Sequence, residues 1–228
     1  MQSSCKMKAI CFDLDDTLYK EIDYLKSGYR AVSKYVEIQS GVNANTVFKA
    51  LIDWYYSGQN PFQSLIETFQ TKCSLDDCVG IYRHHFPDIH LTEDVRYTLD
   101  SLKSKGCLLG IVSDGRKTTQ MHKIKALKLT NWMSEELIVI NDSPGVFKPA
   151  STGYEKFVSR AKSIAYGQLL EFTYVGDNIA KDFLYPNQQG WDTVCLLDDG
   201  RNIHKQDFSA IGKEAMPNRI VSNLIDMI

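Results

Sequence analysis

The sequence lacks three features: a long hydrophobic run, a strong net charge of either sign and a paired-cysteine motif. No apolar stretch approaches the roughly 20 residues that cross a bilayer. The apolar run at residues 9–12 ends at an acidic residue, too early for the apolar region of a signal peptide. The formal net charge of −2 gives no electrostatic reason to expect nucleic acid or an anionic membrane as a partner. We therefore expect a cytoplasmic protein that binds neither.

The cysteines give no sign of a metal site or a disulfide framework. Cys11, Cys107 and Cys195 lie inside apolar runs, where a thiol behaves as a small core hydrophobe. Reduced thiols, buried or incidental, are the interpretation that this pattern favours over zinc or disulfides. The six cysteines, none of them in a Cys-x-x-Cys pair, are Cys5, Cys11, Cys73, Cys78, Cys107 and Cys195.

Short apolar runs alternate with segments of helical length over most of the chain. The runs are too short for helices and are not interrupted by polar residues at every second position, which predicts strands buried on both faces. Strands that alternate with amphipathic helices predict βαβ units. The fold class is therefore α/β, with a doubly wound (Rossmann-like) parallel sheet as its core. The runs cover residues 7–12, 107–112, 137–140, 172–175 and 193–197, and the helical segments cover residues 92–105, 118–129 and 154–162.

Residues 19–87 interrupt this alternation, because they show helical periodicity and no strand pattern. Their apolar positions fall on four helical faces, and glycine, proline and serine residues separate the four segments. We predict a small α-helical bundle inserted after the first strand. Residues 1–18 and 88–228 would then form the Rossmann-like core, and residues 19–87 a second domain.

Polar clusters follow the apolar runs. Taken alone, each cluster is compatible with ordinary turn and helix-cap chemistry. The carboxyl ends of parallel strands converge on one crevice, where ligands bind, so clusters far apart in sequence are expected to meet there. The four clusters are Asp13-Leu14-Asp15-Asp16-Thr17, Ser113-Asp114-Gly115, Lys148-Pro149, and Gly176-Asp177-Asn178 with Asp182 beyond it.

In their order and positions, these clusters resemble the four signatures of the haloacid dehalogenase superfamily. The first signature is the specific one, whereas the serine and the lysine are informative only by position. The resemblance covers essentially the whole chain, because the helical insert also matches the helical cap that the family carries between its first and second signatures. The matching residues, in signature order, are Asp13-x-Asp15-x-Thr17, Ser113, Lys148 and Gly176-Asp177 with Asp182.

The resemblance implies a magnesium-dependent phosphatase that hydrolyses a small phosphomonoester through an aspartyl-phosphate. Asp13 would be the nucleophile, and Asp15 the general acid and then the general base. Ser113 would hold phosphoryl oxygens, and Lys148 would offset the charge shared by nucleophile and phosphate. We expect the pKa of Asp15 to be raised by the neighbouring carboxylates, since it must carry a proton in the first step.

The same resemblance implies the ligands of the metal ion and further contacts to the substrate. Mg²⁺ would be held by the carboxylates of Asp13 and Asp177 and by the backbone carbonyl of Asp15, with Asp182 as the fourth residue of the metal site. Asp182 would also orient water ligands or Lys148. The remaining predicted substrate contacts are Thr17, Lys20, Asp114, Gly115 and Arg116.

The acidic residue at position 15 separates branches of the family. By resemblance, dehalogenases lack an acid there, because a halide leaves without a proton. Two alternatives to a phosphatase stay open: a sugar-phosphate mutase that uses the same intermediate, and a non-catalytic phosphometabolite-binding protein. The expected partner is a small phosphorylated metabolite such as a sugar phosphate or nucleotide, and the sequence leaves the oligomeric state open.

Overall fold

The structure, a computed structural model, describes residues 6–228. Cys5 and the start of the predicted 1–18 core segment lie outside the described residues. The chain divides into two compact units: one contains the chain up to Glu21 and from His90 onward, and the other is Ile22–Ile89. Apart from short 3₁₀ turns, the elements are β1 (Met7–Phe12), α1 (Glu21–Ser40), α2 (Ala44–Tyr56), α3 (Pro61–Phe69), α4 (Leu75–His84), α5 (Glu93–Ser104), β2 (Leu108–Asp114), α6 (Lys117–Ala126), β3 (Ile138–Asn141), α7 (Thr152–Ile164), β4 (Leu170–Gly176), α8 (Leu184–Gln188), β5 (Asp192–Leu196) and β6 (Arg219–Val221).

The first unit contains a six-stranded parallel sheet in the order β3-β2-β1-β4-β5-β6. The chain runs outward from β1 through β2 to β3 and then returns to the other side of β1 as β4. This reversal makes the boundary between β1 and β4 the switch point, where open α/β sheets bind ligands at their carboxyl ends. The predicted doubly wound parallel α/β fold is confirmed.

The strand positions follow the apolar runs, with one exception. The run at residues 7–12 is β1, and the other four runs each overlap one strand, with ends that differ by up to two residues. The exception is β6, a three-residue edge strand that pairs only with β5 among the described strands. Ile220 in its centre is half exposed. Three residues of mixed exposure carry no periodicity from which a strand could be predicted.

The core of this unit lies between the sheet and α7. Tyr154, Phe157 and Ala161 form the buried face of α7 at helical spacing. They pack against side chains contributed by five neighbouring strands. These are Ala9 and Cys11 from β1, Val112 from β2, Val139 from β3, Tyr174 from β4 and Cys195 from β5. The five described cysteines are free thiols, as the sequence predicts.

The second unit, residues 22–89, is described throughout and contains helix but no strand. Its helix starts are set by local capping: the Asn43 side chain caps α2, Asn60 caps α3 with a proline after it, and Ser74 forms a capping box at α4. No helix in residues 6–228 is both long enough and apolar enough to cross a membrane. The helices lie where the sequence shows helical periodicity, and the role of this unit as a cap stays a prediction.

Gly110 in β2 marks a close approach between the sheet and its neighbours. A Cβ added there would lie 2.6 Å from a ring carbon of Phe157 and 2.7 Å from the Cβ of Leu137, both core residues. We expect Gly110→Ala to lower the free energy of unfolding by about 1–3 kcal/mol, because the packed core must shift. Urea denaturation of wild type and variant measures this free energy of unfolding. Gly145→Ala, whose Cβ would meet nothing within 4 Å, is the control. Equal losses in both variants would contradict the close approach.

Candidate active site

Three adjacent strand ends bring the predicted clusters together. Asp13 follows β1 and is anchored by its backbone N–H, which donates to the Val175 carbonyl of β4 at 2.8 Å. Ser113 stands at the end of β2, on the other side of β1. Asp177 directly follows β4. These ends surround a cavity of about 180 Å³, which belongs entirely to the sheet-containing unit. Its lining includes Asp13, Asp15, Ser113, Asp114, Asp177 and Lys181.

A buried lysine ties two of the aspartates together. The Lys148 ammonium lies 2.8 Å from Asp13 Oδ1 and 2.7 Å from Asp182 Oδ1. It also donates to the Tyr174 hydroxyl at 2.9 Å, and none of its side chain is exposed. Burial on its own would lower the pKa of Lys148, but Asp13 and Asp182 outweigh burial and raise it well above its usual range. Lys148 is therefore a permanent cation in contact with the candidate nucleophile.

Three buried carboxylates form a candidate metal centre. Asp13, Asp177 and Asp182 each offer an oxygen, and these oxygens lie within 4.8 Å of one another. Burial, together with the neighbouring Asp182, raises the pKa of Asp13 to about 6 despite Lys148. Burial, with Asp182 and Asp13, raises the pKa of Asp177 to about 9. Part of each shift comes from repulsion among the carboxylates, which a divalent cation would relieve, and an all-oxygen donor set is the one that hard cations prefer.

Asp177 is held from both sides by neutral donors. The Thr17 hydroxyl donates to Asp177 Oδ1 at 3.2 Å, and the Asn202 amide donates to Oδ2 at 3.0 Å. Thr17, predicted as a substrate contact, therefore contacts a candidate metal ligand. Asn202 comes from the loop after β5, and sequence reasoning did not single it out. It is also the acceptor of a hydrogen bond from the Lys20 ammonium at 2.7 Å.

Asp15 lies in a different electrostatic environment from the candidate metal centre. Its Oδ1 accepts from the Lys123 ammonium at 2.7 Å and from the Tyr19 hydroxyl, and its Oδ2 accepts from the Gln120 amide at 2.9 Å. Burial alone would raise the pKa of Asp15, but Lys123 and the three hydrogen bonds lower it. The expectation that neighbouring carboxylates raise the pKa of Asp15 is therefore wrong for this structure, because the dominant charged neighbour is a buried lysine.

The other predicted substrate contacts occupy varied positions. Asp114 lines the cavity and also holds the loop before Pro149, since its carboxylate accepts from the Lys148 backbone N–H at 3.2 Å. Gly115 has φ of 138°, which favours glycine. Arg116 is exposed at the start of α6. The structure does not place Thr17, Lys20, Gly115 or Arg116 in the cavity lining.

Two polar residues of α6 were missed by sequence reasoning although a signal was present. Gln120 and Lys123 are 2% and 3% exposed. They lie four residues before the buried Ile124 and Leu127, respectively, and so fall on the apolar face of the helix. A lysine on a buried helix face needs a partner of opposite charge. That need points to an acidic site facing α6, which is Asp15.

The comparisons with known proteins establish the family. The sequence model of the haloacid dehalogenase-like hydrolase family matches residues 10–195, and the chain belongs to this family. The prediction of a hydrolase of this family is confirmed. The chain is 26% identical over 201 residues to a glyceraldehyde 3-phosphate phosphatase of Methanocaldococcus jannaschii, covering 84% of this chain and 85% of that protein. It is 24% identical over 216 residues to a ribulose-1,5-bisphosphate 5-phosphatase of Halopiger xanaduensis, covering 82% and 84%.

Solved structures show the same fold in proteins of different activity. A phosphatase of the family from Thermococcus onnurineus aligns with a TM-score of 0.59 at 18% identity, covering 97% of this chain and 96% of that one. A 2-haloacid dehalogenase from Pseudomonas syringae aligns with a TM-score of 0.58 at 16% identity and the same coverage. The fold therefore accommodates both chemistries, and the residues of the site must distinguish them.

Glu21, which also lines the cavity, gives the site a pH dependence of stability. Burial and the adjacent Asp15 raise the pKa of Glu21 from 4.5 to about 8, although Lys123 opposes the shift. The folded state therefore binds more protons than the unfolded state between pH 4.5 and about 8, so this residue makes stability fall as pH rises through that window. The glutamine side chain of Glu21→Gln is neutral at every pH, so the variant should lose this decline of stability with rising pH.

The measurement is urea denaturation of wild type and Glu21→Gln at several pH values from 5 to about 8.5, with chelator present. We expect the variant to gain stability relative to wild type as pH rises. Glu155→Gln removes an exposed carboxylate and is the matched control. Parallel stability curves for wild type and Glu21→Gln would show that Glu21 titrates normally.

Proposed function

We propose that this protein is a Mg²⁺-dependent phosphatase that hydrolyses a small sugar phosphate through an aspartyl-phosphate on Asp13. One observation carries the proposal: a buried carboxylate in contact with a permanent cation, Lys148, shares a cavity with Asp177 and with Asp15. Nucleophile, charge compensation, metal carboxylates and a proton-transfer group are the parts that phosphoryl transfer requires. The names of the curated relatives, which are sugar-phosphate phosphatases, support the same class.

In the first half-reaction the Asp13 carboxylate attacks phosphorus. Lys148, 2.8 Å from Asp13, lowers the repulsion between the incoming carboxylate and the phosphate dianion. The Ser113 hydroxyl holds a phosphoryl oxygen at the same cavity. The surroundings of Asp15 favour its anion, so Asp15 must take up a proton as the phosphate dianion enters. It gives this proton to the leaving oxygen as the bond from phosphorus to that oxygen breaks. The product alcohol leaves, and Asp13 is phosphorylated.

In the second half-reaction water attacks the phosphorus of the aspartyl-phosphate. Asp15, now ionised, takes a proton from that water, and the bond between phosphorus and Asp13 breaks. Inorganic phosphate leaves and both aspartates return to their starting states. The cationic surroundings of Asp15 favour its ionised form, which is the form this second step needs.

The carboxylates of Asp13, Asp177 and Asp182 and the backbone carbonyl of Asp15 are the proposed ligands of Mg²⁺. When bound, the ion offsets the negative charge of the phosphoryl group and of these carboxylates. Asp182 also accepts from Lys148, so the same residue orients the lysine. The oxygen-only donor set and the repulsion within it support a hard divalent cation over zinc or copper.

We further propose sugar phosphates as the substrate class and a division of labour between the two units. A cavity of about 180 Å³ with carboxylates and Lys181 in its lining fits a small polar molecule. Residues 1–18 and 88–228 form the proposed catalytic core, and residues 19–87 the proposed helical cap, which would contribute to the choice of leaving group.

Phosphate release from small phosphomonoesters tests the activity. We expect Mg²⁺-dependent release that chelator removes and that Asp13→Asn abolishes, because the amide is a poor nucleophile. Asp15→Asn should lower turnover by about 10²–10⁴-fold, the usual contribution of general acid–base catalysis. The substrates are triose, pentose and hexose phosphates and a nucleoside monophosphate. Substantial release by Asp13→Asn would overturn the assigned nucleophile. Isomerisation primed by a bisphosphate, without net release, would identify a mutase.

Metal binding has a readout that does not depend on activity. Mg²⁺ at about 100 times its Kd should stabilise wild type by about 2.7 kcal/mol, seen as a rise in Tm. Asp177→Asn should lose this rise because a carboxylate ligand is gone. Its metal-free Tm should stay near that of wild type, because Asp177, with a pKa of about 9, is largely neutral at pH 7 without the metal. Asp192→Asn, at an exposed ion pair, should keep the full response. A full Mg²⁺ response in Asp177→Asn would contradict the assigned site.

A further inference from the structure

One buried amide contacts two groups that the proposed reaction uses. Gln120, on the first turn of α6, is 2% exposed. Its Nε2 lies 2.9 Å from Asp15 Oδ2, 2.7 Å from Ser113 Oγ and 3.2 Å from the Asp114 carbonyl oxygen. Its side chain therefore bridges the candidate acid and base to the hydroxyl that would hold the phosphoryl group.

The charge of Asp15 fixes which way this amide faces. If the amide were turned over, its carbonyl oxygen would face a carboxylate oxygen, and two acceptors would meet without a proton between them. With its NH₂ group toward Asp15, the amide also presents an N–H to Ser113. The position of Gln120 is thus determined by the network and not only by packing.

The hydrogen bonds to Asp15 leave a defined position for a transferable proton. A carboxylate offers about four lone-pair positions, two on each oxygen. Lys123 and Tyr19 both donate to Oδ1, and Gln120 donates to Oδ2. Among the contacts of the described residues, this leaves the second lone pair of Oδ2 as the position where a proton can be held and given up. Gln120 sets the direction in which that lone pair points.

The same amide determines how Ser113 acts. A serine hydroxyl has one proton and two acceptor lone pairs. Because Ser113 Oγ accepts an N–H from Gln120, its own proton must point elsewhere, and Ser113 lines the cavity. The hydroxyl is thereby available as a donor, which is the polarity that an anionic phosphoryl oxygen needs.

The turn before α6 leaves room for this side chain. Gly115 has φ of 138°, and a Cβ there would lie 3.4 Å from Gln120 Cδ. Lys123, one turn further along α6, holds the other oxygen of Asp15. The helix therefore presents one neutral and one charged donor to the same carboxylate, with Gln120 alone reaching Ser113 among the described contacts.

We propose that Gln120 is a positioning residue for the proposed reaction, on which this inference rests. It fixes Asp15 so that Oδ2 exchanges the proton, and it orients the Ser113 hydroxyl toward the phosphoryl group. In the first step the proton moves from Asp15 Oδ2 to the leaving oxygen, which keeps the electron pair of the broken P–O bond. In the second step Asp15 Oδ2 takes a proton from the attacking water as the bond between the water oxygen and phosphorus forms and the bond between phosphorus and Asp13 breaks.

The test compares two leaving groups. p-Nitrophenolate leaves without a proton, whereas a sugar alkoxide requires one. The quantity kcat/KM reports steps up to aspartyl-phosphate formation, so dephosphorylation, which is common to both substrates, does not enter it. Gln120→Met keeps length but removes the donor. We expect it to lower kcat/KM for a sugar phosphate at least about tenfold more than for p-nitrophenyl phosphate, because a misplaced acid affects only the former.

A second variant and a matched control complete the test. Gln120→Glu keeps the shape of the side chain but puts an acceptor beside Asp15 and Ser113. The ratio of kcat/KM for the sugar phosphate to kcat/KM for p-nitrophenyl phosphate should therefore fall further than in Gln120→Met. The inhibition constant of inorganic phosphate should also rise. Lys125→Met changes an exposed residue of the same helix and should keep the wild-type ratio. Thermal unfolding verifies that each variant is folded.

Two results would overturn the inference in distinguishable ways. If wild type hydrolyses both substrates and both Gln120 variants lower the two kcat/KM values by the same factor, Gln120 does not position the acid, and the inference fails while the proposed function stands. If wild type hydrolyses neither substrate with Mg²⁺, the proposed function fails and this inference fails with it.

Discussion

The site depends on one buried cation. The Lys148 ammonium, with no exposed side-chain surface, lies between Asp13 and Asp182 at 2.8 and 2.7 Å. Burying either a lone ammonium or a lone carboxylate here would cost several kcal/mol, so each charge is tolerated because of the others. The arrangement still carries an excess of negative charge once Asp177 is included, which keeps the pKa of that residue near 9. A divalent cation is the addition that would balance such a site. Charge compensation therefore explains why these groups coexist at one end of the sheet.

The parallel sheet explains how residues more than 150 positions apart reach that cation. β1 lies between β2 and β4, so the residues that follow these three strands share one edge. This part could be predicted from the sequence, because uninterrupted apolar runs indicate buried parallel strands and polar clusters after them indicate the carboxyl edge. Asp13, Ser113 and Asp177 were found in this way. The edge strand β6 was not, because pairing with β5 and not an internal pattern makes those three residues a strand.

What the sequence pattern could not supply is the environment of each carboxylate. Asp13 is buried and Asp15, two residues further on, is half-buried, yet the pKa of Asp13 is raised and that of Asp15 is lowered. The difference comes from Lys123, 108 positions further along the chain, whose ammonium lies 2.7 Å from Asp15. Local sequence shows three acidic residues in a row of five, which implies mutual repulsion. Only the contacts of Lys123 and Gln120 with Asp15 reveal that one of them is neutralised separately from the candidate metal centre.

This separation matters for the chemistry that the fold supports. Phosphatases and dehalogenases align with the same fold at nearly equal TM-scores, so the sheet does not decide between them. An aspartate in the proposed acid and base role needs surroundings that tolerate its anion apart from the candidate metal centre. Lys123, Tyr19 and Gln120 provide such surroundings, because all three donate hydrogen bonds to the Asp15 carboxylate. A halide-displacing enzyme would have no use for these donors, since its leaving group departs as a stable anion. The buried polar face of α6 is therefore the part of this structure that most specifically supports hydrolysis of a phosphate ester.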